Sequence, residues 1–347
     1  MISNSRSNNS HRVTAFSAWS SCLVFGWSLG IAGQHHEHQG HAHHNMTEEQ
    51  FTELRAKVPL YQELTDEQIV QNMGRMGPNF EVYLSDSALV GSVGVLALGH
   101  GYEPSGNEAF KKAYVPTAGQ HPTAVAFGMA MMTSDHIQAA VDELTDAGAD
   151  TLLIMPITTL KSGGLIGQWR YIFGLRDDAP WMSVPRVQTD ARVVFGPTPT
   201  TDPIISAILL DYAIQLSRDP AKEVVALVAH GPDNAERNAE ELAILKQHAA
   251  VIREGRPFAK VRGFTLQDDA PTAVRKANIR RIREWVVVAT ETGHRVIVLT
   301  TLPVKGSVHK KIRRDLDGLD YKLGDKGIVE HPMFSVWIDS VVASATR

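Results

Sequence analysis

His100 and His230 are the two residues from which chemistry can be argued in this chain of 347 residues. His100 ends the apolar run Val93-Gly94-Val95-Leu96-Ala97-Leu98-Gly99, and His230 ends Val224-Val225-Ala226-Leu227-Val228-Ala229. Glycine follows each histidine, and a polar, asparagine-containing segment follows the glycine. Imidazole exchanges protons near neutral pH and binds transition metals through its neutral nitrogen. The apolar runs read as buried parallel strands, and the carboxyl ends of such strands are where open α/β sheets place ligands. Both histidines are therefore candidate metal ligands and proton acceptors. A third, His309, closes the loop 301–309 after the apolar run 295–300, whereas Leu165 stands at the aligned place after the run 150–156, so the two halves are not equivalent.

A different kind of metal chemistry sits near the start. His35, His36, His38, His41, His43 and His44 place six of the chain's 15 histidines within eleven positions. At that density neutral imidazoles bind zinc, copper, nickel or cobalt ions loosely, as a chelating arm over residues 35–45. Before it, residues 1–34 read as an export signal, with Arg6, His11 and Arg12 ahead of an apolar stretch and a small-x-small site at Gly30-Ile31-Ala32. Cleavage near Ala32 and an exported, periplasmic or extracytoplasmic protein are the expectation; the alternative is an uncleaved anchor, the chain's one route to a membrane. The single cysteine, Cys22, lies in this segment, so the remainder has neither disulfides nor thiolate metal sites. A formal charge of −4, from 34 basic and 38 acidic residues, excludes a global basic field and with it nucleic acid as partner.

The elements that must position these residues repeat. The two His-Gly pairs stand 130 residues apart, too far for a solenoid and suited to one small α/β domain used twice. The reading is an α/β protein of two Rossmann-like domains from an internal duplication, each a parallel sheet flanked by helices: repeat 1 over 91–218 and repeat 2 over 219–347. Residues 46–90 form a helical lead-in, with capping boxes at Thr47/Gln50 and Thr65/Gln68. In repeat 1 the strand 93–98 leads into a long loop rich in proline and glycine, then a helix from about Ser134 to Ala147, a strand at 150–156 and another at 191–196. Asp202 as N-cap and Pro203 at the first helical position open the next helix. In repeat 2, Asp233 and Glu236 cap a helix to about His248, strands follow near 259–264 and 295–300, and a long helix runs between them.

With these motifs the chain resembles the class II chelatases, specifically the sirohydrochlorin cobalto- and ferrochelatases of cobalamin and sirohaem biosynthesis. The resemblance rests on Leu98-Gly99-His100-Gly101 with Asn107-Glu108, Ala229-His230-Gly231 with Asn238, Ile154-Met155-Pro156, and the turn Gly196-Pro197 to Asp202-Pro203. It spans about residues 90–340. It implies two domains facing across a cleft that accepts a tetrapyrrole, and divalent cobalt, iron or nickel as a substrate, with no organic cofactor. By motif position His100, His230 and His309 inherit metal binding and proton uptake, and Leu165 favours a site built on His230 and His309. Lys161 and Lys305 could anchor the carboxylates of the macrocycle, as could Lys310, Lys311, Arg313 and Arg314.

Other residues read as structural. His121, His136, His248, His294 and His331 are expected on the surface or at caps, and Glu103, Glu108 and Glu236 as solvated groups that could act as auxiliary proton acceptors. No nucleophile elbow, P-loop or dinucleotide glycine signature follows a strand, which leaves hydrolase, kinase and dehydrogenase readings without residues. The competing reading is an exported, non-catalytic metal-binding or trafficking protein on a chelatase fold.

Overall fold

The apolar runs that end in histidine are central strands of two sheets. The computed structural model describes residues 35–37, 46–74 and 77–345. The first sheet contains β1 (His35–Glu37), β2 (Phe80–Tyr83), β3 (Val93–Gly99), β4 (Thr123–Phe127), β5 (Thr151–Pro156) and β6 (Arg192–Phe195), in the order β1-β2-β4-β3-β5-β6. The pairings β4-β3-β5-β6 are parallel, while β1 with β2 and β2 with β4 are antiparallel. The second sheet holds β7 (Glu223–Ala229), β8 (Lys260–Thr265), β9 (Arg295–Thr300) and β10 (Lys322–Leu323), all parallel, in the order β10-β9-β7-β8. The order β4-β3-β5-β6 thus recurs as β8-β7-β9-β10. In each half the first parallel strand lies between the next two, so the chain leaves it to opposite sides, the arrangement that opens a crevice at the strand's carboxyl end.

The alternation along these strands feeds separate cores. Val95 and Ala97 of β3, with Val225, Leu227 and Ala229 of β7, point into one apolar core shared by both sheets. Leu96 and Leu98 point the other way, into a core closed by the lead-in, and Val224, Ala226 and Val228 into a third. Both faces are covered, which is why the runs are uniformly apolar.

The lead-in forms α1 (Glu48–Lys57) and α2 (Asp66–Gly74), both opened by the expected reciprocal caps: Thr47 N–H donates to Gln50 at 2.9 Å and Thr65 N–H to Gln68 at 2.9 Å. Phe51, Leu54, Ile69 and Met73 turn inward. It is not wholly helical, since 80–83 adds β2 to the sheet. The stretch after β3, expected as a long loop, instead folds as α3 (Pro104–Ala118) and β4. Pro104 occupies the first turn, where proline is tolerated, Pro116 lies inside the last turn and forgoes a bond to the carbonyl four residues back, and Phe110, Ala113, Tyr114 and Thr117 supply the buried stripe.

The remaining helices are α4 (Asp135–Asp146), α5 (Gly164–Ile172), α6 (Pro203–Leu216), α7 (Ala235–Gly255), α8 (Thr272–Glu291), α9 (Ser307–Asp315) and α10 (Pro332–Ala345). Asp202 caps α6 as expected, accepting from Ile204 N–H at 2.9 Å. For α7 the cap is Asn234, which accepts from Arg237 N–H at 2.9 Å, in place of Asp233 and Glu236, and the helix runs seven residues past His248.

The last helix returns to the first half. Phe334, Trp337 and Ile338 of α10 enter the shared core, Ser335 Oγ donates to Ala113 O at 3.0 Å, and Trp337 Nε1 donates to Asp202 Oδ2 at 3.1 Å. Each such side chain is worth roughly 1.5–3 kcal/mol by burial, against about 0–1 kcal/mol for an exposed pair such as Lys310 with Glu103. Apolar packing, not charge, therefore joins the halves. Among the described residues no helix is long and apolar enough to cross a membrane. Residues 1–34, Cys22 included, lie outside the described residues.

Candidate functional site

Each strand-end histidine is set by the glycine after it. Gly101 and Gly231 adopt φ of +85° and +77°, a left-handed turn that glycine enters without steric cost. At Gly231 a Cβ would stand 2.8 Å from Gln267 N and 2.8 Å from Thr265 Cβ, so only glycine lets β7 turn against the end of β8. The turn brings His230 Nδ1 to 3.0 Å from Gly231 O, where Nδ1–H donates to the carbonyl. His100 likewise interacts with the Gly101 backbone. A donating Nδ1 leaves Nε2 as the unprotonated nitrogen with a lone pair.

The structure brings His100 and His230 together. Burial, and after it the charge of His230, lowers the half-buried His100 ring to about 4, with the Gly101 backbone and Asp269 opposing. His100 is thus a neutral imidazole at neutral pH. Tyr102 lies against it with ring centroids 4.3 Å apart, and burial raises the Tyr102 phenol well above its ordinary range, so it remains protonated.

Two carboxylates stand near His230, with Oδ2 of Asp268 and of Asp269 each 3.9 Å from Nε2. Asp268 has a side chain only 3% exposed and is held by Arg275 Nε at 2.6 Å and by Lys311 Nζ. Burial alone would raise its carboxyl, but the hydrogen bonds from Lys311 and Arg275 outweigh that and keep it below the usual range. Arg275 also reaches Asp315 at 2.6 Å, which ties the loop after β8 to α8 and α9. A fixed negative charge therefore faces the Nε2 side of His230. Asp268 carries no motif signal; its position after a strand end, one residue before a second aspartate, is what sequence inspection offered.

His309 is not part of this pair. It is 1% exposed, Gly306 N–H donates to its Nδ1 at 3.3 Å, and its Nε2–H donates to Thr300 Oγ1 at 3.1 Å. Both nitrogens are used within its own loop, and burial lowers its pKa to about 4, helped by Arg313 and Lys305. The ring at 309 turns back to close the start of α9.

The lysines are separate again. Lys161 is exposed in the loop before α5, and Lys305 is exposed with Asp325 at 3.6 Å. Lys310 reaches Glu103 across the halves at 2.7 Å, and Lys311 serves Asp268. Glu108 and Glu236 are exposed as expected. Three histidines expected at the surface or at caps are buried: His136, His248 and His331. His248 links the halves, receiving Ser206 Oγ–H on Nδ1 at 2.7 Å and donating Nε2–H to Thr200 O at 3.1 Å. His35 and His36 fall on β1, while His38, His41, His43 and His44 lie outside the described residues. Among the described residues no three His, Cys, Asp or Glu side chains converge to hold a metal ion.

One buried acid went unnoticed in the sequence. Glu241 on α7 is 3% exposed, and burial raises its carboxyl to about 7, against the opposing charge of His230. The helical stripe would have placed it inward, at i−4 from Leu245, had its charge not argued otherwise.

No family model and no curated protein matches the chain. Among solved structures, SirB from Bacillus subtilis, determined with Fe3+, superposes at a TM-score of 0.54 and 14% identity, over 74% of this chain and 96% of that one. CbiX, described as the terminal enzyme for siroheme biosynthesis in denitrifying bacteria, gives 0.48 and 17% over 74% and 99% of the two chains. DR2241 from Deinococcus radiodurans, a multi-domain protein described as structurally similar to chelatases, gives 0.47 and 16% over 74% and 56%. On its two largely parallel sheets and the SirB superposition, the chain has the class II chelatase-like fold.

Proposed function

We propose that this protein inserts a divalent metal ion, cobalt, iron or nickel, into a tetrapyrrole of the sirohydrochlorin class. The observation that carries the reading is the pair His100 and His230, two imidazoles delivered by equivalent strand ends and close enough for their charges to interact. The likeness in fold to SirB supports it.

Insertion of M2+ replaces two pyrrole N–H protons, so the site needs groups that hold a metal weakly and accept protons. The Nε2 lone pairs of His100 and His230 do both. Asp268 and Asp269, each 3.9 Å from His230 Nε2, supply negative charge that attracts the incoming cation. Because burial disfavours the charged form of His100, it returns a proton readily and stays open to metal. Lys161 and Lys305 are exposed and available to the carboxylates at the macrocycle rim. His309 supports the loop 301–306 and acts through its position.

The test is anaerobic absorbance of sirohydrochlorin with Co2+, Ni2+ or Fe2+ added to residues 45–347, compared with His100→Ala and His230→Ala. Insertion is expected to slow by about 10²–10⁴-fold in either variant, the usual effect of losing a positioned acid–base group. No acceleration over the protein-free rate with any of the three metals overturns the reading.

The histidine-rich arm and the export-signal character of residues 1–34 favour a second reading, extracytoplasmic metal binding and trafficking. It predicts that most of the protein is recovered outside the cytoplasm and that the arm, not His230, accounts for the bound metal.

A further inference from the structure

The carboxylate of Asp268 has two counter-ions of different character. Oδ1 accepts from Arg275 Nε at 2.6 Å, and the same guanidinium reaches Asp315 Oδ2 at 2.6 Å. Arg275 is thus held between two acids that are almost wholly buried, with side-chain exposures of 3% for Asp268 and 9% for Asp315. Oδ2 accepts from Lys311 Nζ, and the Lys311 side chain is 41% exposed. That oxygen is also the one that stands 3.9 Å from His230 Nε2. One carboxylate therefore has an anchored oxygen and, nearest the imidazole, an oxygen whose cation borders solvent.

A divalent cation approaching His230 meets this ammonium. Metal bonds to imidazole nitrogen and carboxylate oxygen are about 2.0–2.2 Å, so two ligands of one ion stand at most about 4.2 Å apart. The separation of 3.9 Å between Nε2 and Oδ2 falls within that reach. Lys311 already occupies the oxygen, and two cations on one oxygen repel. Lysine carries a strongly hydrated head on a flexible stem, and an ion pair open to water costs little to break. Arg275, forked between Asp268 and Asp315, stays in place.

We propose that Lys311 is the exchangeable counter-ion of the metal site: an incoming divalent cation displaces its ammonium from Asp268 Oδ2, and the ammonium returns as the metal leaves. Lys311 is a positioning residue, since it acts on the metal through Asp268. Its competition for the oxygen weakens the hold on the bound ion, which leaves the metal free to be passed on. The inference rests on the reading of His230 as a metal ligand, and it applies to metal insertion and to metal trafficking alike.

The experiment titrates the full chain with Co2+ at constant pH and low salt, without a macrocycle. It follows the part of the binding that His230→Ala abolishes, which sets aside ions held by the histidine-rich arm. Lys311→Met keeps the stem and removes the charge, and it is expected to tighten this component about ten-fold. Lys311→Arg, which keeps a cation on Oδ2, should not tighten it. In an Asp268→Asn background Lys311→Met should change nothing, because the shared oxygen has lost its charge. A merely structural role has the opposite sign, since a lost ion pair would loosen α9 and weaken the binding. Circular dichroism checks folding, and Lys311→Gln serves if Lys311→Met fails to fold. Unchanged or weaker cobalt binding in a folded neutral variant, or equal tightening in the Asp268→Asn background, overturns the proposal and leaves His230 as a ligand. Absence of His230-dependent cobalt binding overturns it together with the metal role of His230; insertion into the macrocycle is read separately, by absorbance.

Discussion

At the scale of single residues, the same side chain type does opposite work according to where its nitrogens point. His230 turns its Nε2 toward Asp268 and Asp269, whereas His309 spends both nitrogens inside its loop. The consequence for stability has a definite sign. With His309 at about 4 in the folded chain and about 6.5 unfolded, the unfolded state binds the extra proton between those values, so stability falls on acidification through that window. For this 1%-exposed group the loss approaches about 3 kcal/mol at pH 4, and His309→Gln should flatten that part of the urea-unfolding profile. Glu241 acts the other way. Raised to about 7 from about 4.5, it holds a proton in the native state and takes stability away as pH rises from 4.5 through 7, so Glu241→Gln should lift stability at pH 8 relative to pH 5. Gly231→Ala is expected to cost about 1–3 kcal/mol, from its positive φ and the contact at Gln267 N, and to displace His230; a lowered unfolding midpoint checks it.

At the scale of elements, caps and returns matter more than surface charge. Asp202 illustrates the difference: one carboxylate accepts from Ile204 N–H at the start of α6 and from Trp337 Nε1 on α10. Asp202→Ala should cost about 2 kcal/mol, a lost cap plus an orphaned indole N–H, while Thr47→Ala at the exposed start of α1 should cost about 1 kcal/mol or less. Chemical denaturation of the two variants side by side checks the ranking, and equal losses would show that the Trp337 bond contributes nothing.

At the scale of the molecule, the two halves share one core, to which β3, β7, α6 and α10 all contribute. Unfolding should therefore be a single transition, with tryptophan fluorescence and circular dichroism superimposing. Residues 46–218 expressed without α10 should fail to fold, because Phe110, Tyr114, Ile208 and Leu209 lose the cover of Phe334 and Trp337. Two separated transitions, or a folded 46–218 fragment, would show instead that each half closes its own core.

Much of this architecture was legible in the residues. Buried strands announce themselves as apolar runs, so β3, β5, β7 and β9 and the histidines ending two of them followed from sequence, as did the caps at Thr47, Thr65 and Asp202. Those signals are local: they depend on period, on flanking glycine and on side chains a few positions apart. What sequence could not supply is partnership between distant segments. That His230 and His100 lie close enough to interact, that Asp268 is charged beside His230, that α10 crosses back to the first half, and that Glu241 is buried all depend on how strands and helices pack. The reading of α3 as loop failed for a related reason, since its prolines signal a break while its buried face, Phe110 and Tyr114, acquires meaning only against β4 and α10. A strand end sets where a histidine emerges; only the packing of the two sheets against a shared core sets what it meets there.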